Sequence, residues 1–243
     1  MDLREAASGV VPDEHWYYRT KKLPLLDYFK STPPETVNIV DVGAGSGYFS
    51  ERLIAEGGRS LRSVTRVDSE YPSEETNGIV RLARELPSEI RSSMIVMMDV
   101  LEHVKDDAGF LKSITGRSRG RNHVFITVPA FMSLWSPHDA FLGHHRRYTL
   151  PEIERLAKGA GIEITSGYYI YGLIFPAVWL ARRLNSGGQG SDLKPASKLA
   201  SAVLEGLCRL EFVFRRCNRL LGVTCVIEGV TVSASTPAAT ARP

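Results

Sequence analysis

The passage Asn38-Ile39-Val40-Asp41-Val42-Gly43-Ala44-Gly45-Ser46-Gly47 constrains this chain more than any other. Its first half is a β-branched run of the kind that forms a strand buried on both faces. Its second half sets three glycines at alternate positions, and "YFSERLIAEGG" follows as a helix with Phe49, Leu53 and Ile54 on one face and Gly57 and Gly58 as its stop. A buried strand that turns this tightly into a helix is the opening unit of an α/β fold. Glycine is required where the turn is tight and where a ligand must approach the backbone. The first N–H groups of the helix are then left for an electron-rich ligand. A second strand, "SVTRVDS", ends at Asp68, about twenty residues on, where a carboxylate accepts hydrogen bonds from both hydroxyls of a ribose.

The alternation continues along the chain. "IVRLARELP" holds a further strand, "MIVMMDV" and "NHVFITVP" are apolar strands, and "EYPSEETNG" reads as loop. "DDAGFLKSITG" is a helix capped by Asp106 or Asp107, and "TLPEIERLAKGAG" one capped by Thr149. Ahead of the first strand, Asp13 to Lys30 predicts a helix broken or kinked at Pro24. After "IEITSGYYIY" the chain turns helical, and "VTCVIEGVTVSA" returns to a strand pattern. The expected organisation is an N-terminal helical lid and linker (1–35), a nucleotide-binding core (36–172), a helical insertion (173–221), a last core strand (222–233) and a disordered tail (234–243).

Composition sets limits on function. With 243 residues and 43 % hydrophobic content the chain can bury a substantial core, and a formal charge of +3 gives nucleic acid little to bind. Cys208, Cys217 and Cys225 are too few and too late in the chain for a disulfide framework, and their spacing gives no zinc pattern. The N-terminus lacks the charged and apolar regions of a signal peptide, and the longest apolar passage, Tyr168 to Leu184, is short and interrupted by Gly172 and Pro176. A soluble, cytoplasmic protein is the expectation.

A dinucleotide loop has its third glycine where this chain has Tyr48. The G-x-G-x-G spacing with an acid two places ahead resembles instead the first motif of the class I S-adenosyl-L-methionine (SAM) dependent methyltransferase superfamily. "MMDVLEHVKDD" and "HVFITVPA" resemble the segments at the fourth and fifth strands of that superfamily. "EHWYYRTKK" and the HD…GHxRRYT loop resemble a bacterial subgroup within it. The resemblance implies an α/β, Rossmann-like, seven-stranded mostly parallel sheet with an antiparallel last strand, an N-terminal helix and a helical insertion before the last strand. It implies SAM as cofactor, with Gly43, Gly45 and Gly47 facing its methionine part, Asp68 its ribose, and the loop around Glu85 and Leu86 its adenine. Asp41 would brace the loop and the ammonium end, and Asp99 would stand at the mouth of the site. The Phe-Asp pair that often opens the fourth strand in such enzymes is Ser92-Ser93 here.

The segment "FMSLWSPHDAFLGHHRRYT" leaves the carboxyl end of the strand "HVFITVP", which makes it an acceptor-side loop. His138 and His144, with Asp139 the nearby carboxylate, do not compose a metal-ligand set, and no metal is expected. As catalytic groups, His138 first and His144 second are candidates for a general base oriented by Asp139; the alternative is that they hydrogen-bond the loop and hold Arg146, Arg147 and Tyr148 in place. Arg146 and Arg147, with Tyr148 and Trp135, are candidates to bind a carboxylate or phosphate on the acceptor. His15 and Trp16 are candidates for a lid. The insertion, rich in Leu, Val, Phe and Arg, suits a cover over a hydrophobic or lipid-linked acceptor, a peripheral contact with an anionic membrane, a homodimer interface, or simple packing against the sheet. The reading is methyl transfer from SAM to a small-molecule or lipid-linked acceptor, at oxygen, with no nucleic acid involved. Its alternatives are other chemistry on SAM and a non-catalytic partner protein of the same fold.

Overall fold

Side-chain alternation along the strands decides the layers. On one face of the sheet Ile39, Val64, Met94, Val96 and Phe125 are buried together, and on the other Val40, Val42, Ile95, Met97, Val124 and Ile126. A computed structural model describes residues 11–56, 61–184 and 197–231. In chain order these form α1 (Trp16–Ser31), β1 (Asn38–Val42), α2 (Tyr48–Glu56), β2 (Ser63–Val67), β3 (Glu75–Asn77), β4 (Val80–Ala83), β5 (Ser93–Met98) and α3 (Asp107–Thr115). Then come β6 (His123–Pro129), α4 (Pro137–Leu142), α5 (Leu150–Gly159), β7 (Ile162–Ile170), α6 (Phe175–Leu184), α7 (Lys198–Phe214) and β8 (Thr224–Thr231).

The strands join in the order β3-β4-β2-β1-β5-β6-β8-β7. β4, β2, β1, β5 and β6 run parallel, and β8 lies antiparallel between β6 and β7. The sheet therefore has eight strands where seven were expected. The additional one is β3, in the stretch expected to be loop. It pairs antiparallel with β4 through the two-residue turn Gly78-Ile79, with Gly78 at φ 58°, the left-handed value that this position of a tight hairpin turn demands.

The break allowed for at Pro24 is absent from α1, where the proline lies inside a continuous helix. Proline there costs about 3 kcal/mol of helix stability. The cost is offset by tertiary burial, because Tyr18, Leu25, Leu26 and Phe29 of the same helix are packed against the sheet. His15 caps this helix by accepting from the Tyr17 backbone N–H at 3.3 Å. Helix α7 lies along α1 and is tied to it by Arg19–Glu205 at 3.1 Å, while Arg215 beyond its end pairs with Asp27. Arg216 reaches Glu228 of β8 at 3.0 Å, and the Tyr168 hydroxyl donates to the same carboxylate at 2.7 Å. Among the described residues no helix is long and apolar enough to cross a membrane. The stop at Gly57 and Gly58, the tail, and residues 232 and 233 of the expected last strand lie outside the described residues.

Candidate active site

The strand order reverses between β1 and β5, and the carboxyl ends of the parallel strands open a crevice there. A cleft of about 800 Å³ occupies that edge, within the usual range for a small-ligand site. Its polar wall comes from Gly43, Gly45, Asp68, Ser69, Glu70 and Asp99, and its apolar wall from Leu86, Val100, Val104 and Phe110. The Asp68 carboxylate is fixed on both sides. One oxygen accepts from the Gly45 N–H at 2.8 Å and the other from the Glu70 N–H at 3.0 Å. Lone pairs remain on both oxygens for a diol. A Cβ on Gly43 would stand 2.6 Å from Val100 Cγ2, so only glycine leaves the backbone in place beside the cleft.

A second cavity, of about 140 Å³, adjoins the first and shares Met98, Asp99, His103 and Leu142 with it. The other walls come from Tyr17, Tyr18 and Lys21 of α1, from His138, His144 and Arg147, and from Arg182 of α6. Asp99 stands between the two spaces in a left-handed conformation, φ 56°. Thr127 holds it there, donating from its hydroxyl to the Asp99 carboxylate at 2.8 Å, and Lys21 forms an ion pair with it. Phe131 and Tyr171, just past the ends of β6 and β7, also have positive φ, so unfavourable backbone is concentrated on this edge.

The Asp139 carboxylate is the hub of the loop after β6. It closes a capping box with Ser136 at the start of α4, accepts from His144 Nδ1 at 2.9 Å, and pairs with Arg147 at 2.7 Å. Burial would raise its pKa, but the hydrogen bond from His144 and the Arg147 charge hold it well below the usual carboxylate range. Asp139 thus orients His144, the second of the two histidines considered as base. Arg147 also donates to the Ala130 carbonyl at 3.1 Å. Arg146 turns away from both cavities to Asp107, at 2.9 Å, and to the Lys105 carbonyl. The Tyr148 hydroxyl donates to Asp107 at 2.8 Å and to the Leu101 carbonyl at 3.1 Å. Trp135, Arg146 and Tyr148 line neither cavity. Those contacts tie the loop after β6 to the turn Leu101–His103 after β5, as does the His145 N–H on the Glu102 carbonyl at 2.7 Å.

Two other expected residues stand apart from the cleft. Asp41 is buried beneath the glycine loop, where burial raises its pKa. Gly47 faces Arg66, since a Cβ there would lie 2.5 Å from the guanidinium carbon. His15 and Trp16 pack at the start of α1, with the Trp16 ring 6.1 Å from Tyr171, and the aromatic rings that reach the second cavity are Tyr17 and Tyr18. Sequence reasoning missed Lys21, Glu102 as a buried acid, and Arg182. Lys21 had a signal: it falls at helical spacing between Tyr18 and Leu25, on the buried stripe of α1. Glu102 is fully buried, its pKa pushed up to about 8 by that burial. Glu102, His103 and His144 bring one ligand atom each to within 4.8 Å of one another.

A model of the methyltransferase-domain family matches residues 14–166. Comparison with curated proteins gives no significant match. Among solved structures, a chain of the Haloferax volcanii complex containing the Trm112 methyltransferase activator aligns at TM-score 0.54 and 16 % identity, over 90 % of each chain. Haemonchus contortus phosphoethanolamine N-methyltransferase 2, solved with SAM, aligns at TM-score 0.52 and 15 % identity over 87 % of this chain and 52 % of its own. A SAM-dependent methyltransferase from Mesorhizobium loti aligns at TM-score 0.52 and 13 % identity, over 90 % of this chain and all of its own, 100 %. At these identities the neighbours share the fold. The family match spans more than half of the chain, and this protein belongs to the methyltransferase-domain family.

Proposed function

We propose that this protein transfers the methyl group of SAM to a hydroxyl oxygen on a small-molecule or lipid-linked acceptor. The observation that carries the reading is the junction at Asp99, where a cleft that fits a nucleoside meets a smaller cavity lined by histidines. The residues present fit the cofactor: Asp68 offers both carboxylate oxygens to the ribose, Gly43 and Gly45 admit the methionine part, and Leu86, Val100 and Phe110 offer apolar contact to the adenine. When bound, SAM supplies a methyl carbon activated by its sulfonium. The chain then has to align the acceptor and remove its proton. His138 and His144 line the smaller cavity, and Asp139 holds His144 with Nδ1 donating, which leaves Nε2 for the acceptor side.

The lipid-linked class of acceptor is supported by the insertion. Leu199, Val203, Leu210, Val213 and Phe214 of α7 are exposed. Its two acids turn inward, Glu205 to Arg19 and Arg209, and Glu211 to the backbone N–H groups of Gly172 and Leu173. The outer face is left apolar, with Lys198 at its first turn, which suits a helix resting on an anionic bilayer. Incubation with methyl-labelled SAM and a panel of hydroxylated aromatic and isoprenoid-linked acceptors tests the function. Label should enter the extractable acceptor fraction with the native chain and not with Asp68→Ala. Label that stays in SAM across the panel, with SAM binding intact, would overturn methyl transfer to this acceptor class.

A further inference from the structure

We propose that Glu102, His103 and His144 form a binding site for one divalent first-row transition ion at the junction of the two cavities. The three residues come from two loops that the sequence separates, and their ligand atoms converge to within 4.8 Å. Atoms that share an ion at about 2.1 Å stand roughly 3 to 3.5 Å apart, so side-chain rotations of about an ångström complete the set. Two imidazoles and one carboxylate, with positions left open, are the donor set of catalytic zinc sites and of other open divalent sites.

Three further observations point to a cation. Glu102 is 0 % exposed, and among the described residues neither of its carboxylate oxygens has a hydrogen-bond partner. A carboxylate buried without partners is costly, and an ion on it removes that cost. The nearby cations are already committed, Lys21 to Asp99 and Arg147 to Asp139. His144 meets the His103 ring edge to face, 4.6 Å between centroids, while its Nδ1 sits on Asp139 at 2.9 Å. That carboxylate–histidine pairing is the outer contact that fixes the ring of a metal-ligating histidine and aims its Nε2 at the ion. Finally, the two loops are pinned together by the His145 N–H on the Glu102 carbonyl and by Tyr148 on Leu101 and Asp107, so the donor set is prepared in advance.

The chemical role rests on the methyl-transfer reading; ion binding does not. An acceptor hydroxyl coordinated at an open position would lose its proton to His138, and its oxygen would attack the methyl carbon. The carbon–sulfur bond then breaks, and the sulfur leaves as neutral S-adenosylhomocysteine. In this arrangement His144 is a ligand and His138 the base.

The test uses the full chain, stripped with chelator, in a Cys217→Ser background because Cys217 is an exposed thiol that would compete for the ion. Titration with Co²⁺ should give a visible d–d absorption that saturates at one ion per chain and is displaced by Zn²⁺. Asp139→Asn should weaken binding by about 10- to 100-fold, the usual loss for an outer contact. Glu102→Gln, His103→Ala and His144→Ala should weaken it further, and His138→Ala should keep it. Circular dichroism identifies any variant that does not fold, and Glu102→Gln, which keeps the side-chain volume, decides if the alanine variants do not. No saturable spectrum, or one that survives Glu102→Gln and His144→Ala, overturns the site. Binding of S-adenosylhomocysteine, measured on the same preparations, reports separately on the methyl-transfer reading.

Discussion

At the scale of single residues, the cleft beside β1 rests on Gly43 in a left-handed turn and on Asp68 at the end of β2. Both line it through the backbone and the topology. Gly43→Ala should destabilise the protein by about 1–2 kcal/mol, the cost of a left-handed residue, before the contact with Val100 adds to it. A urea melt reads this, and an unchanged midpoint would show that the loop has another conformation. The loop after β6 was legible only in part. Spacing marked the histidines and Asp139 as the acid that orients them, but not that Asp139 would also take Arg147, nor that Arg146 and Tyr148 would turn to Asp107. Those pairings depend on how two distant loops meet. Lys21 illustrates the same limit: its place on the buried stripe is readable, its partner Asp99 is not. Lys21→Met should lower stability by about 1–3 kcal/mol, the cost of an unpaired carboxylate discounted for the partial exposure of Asp99. Adding Asp99→Asn should recover part of the loss, and strict additivity in the double-mutant cycle would argue against the pair.

At the scale of elements, the alternation of strands and helices was plain from the β-branched runs and caps, and Thr149 does form a capping box with Glu152 on α5. Two elements were misread for physical reasons. β3 is three exposed polar residues, so no apolar alternation announces it, and Gly78, at the first position of a Gly-X hairpin turn, was the available signal. The continuity of α1 through Pro24 is decided by its packing, which outweighs local propensity. The insertion carries a thiol prediction. Cys208 of α7 is buried, with its pKa pushed up to about 12 by that burial, and Cys225 of β8 is buried deeper still, whereas Cys217 between them is exposed. A thiol reagent near neutral pH should label Cys217 alone in the folded protein and all three cysteines in denaturant. Rapid native labelling of Cys208 would mean that α7 does not lie against α1.

At the scale of the molecule, one edge of the sheet gathers the glycine loop, both cavities and the strained residues Asp99, Phe131 and Tyr171, while α7 presents apolar side chains to the outside. If that face serves a lipid-linked acceptor, the protein should co-float with anionic liposomes at low salt and be released as salt rises. Failure to co-float at low salt, with a dimer in solution, would assign the face to a second copy of the chain. Methyl transfer by this protein depends on SAM binding in the cleft beside β1, and calorimetric titration with SAM and with S-adenosylhomocysteine is the decisive measurement. The native chain should bind both, and Asp68→Ala should weaken both by about 10- to 100-fold, as expected for hydrogen bonds to a charged group. Absence of binding to either nucleoside, or equal affinity in Asp68→Ala, would contradict it.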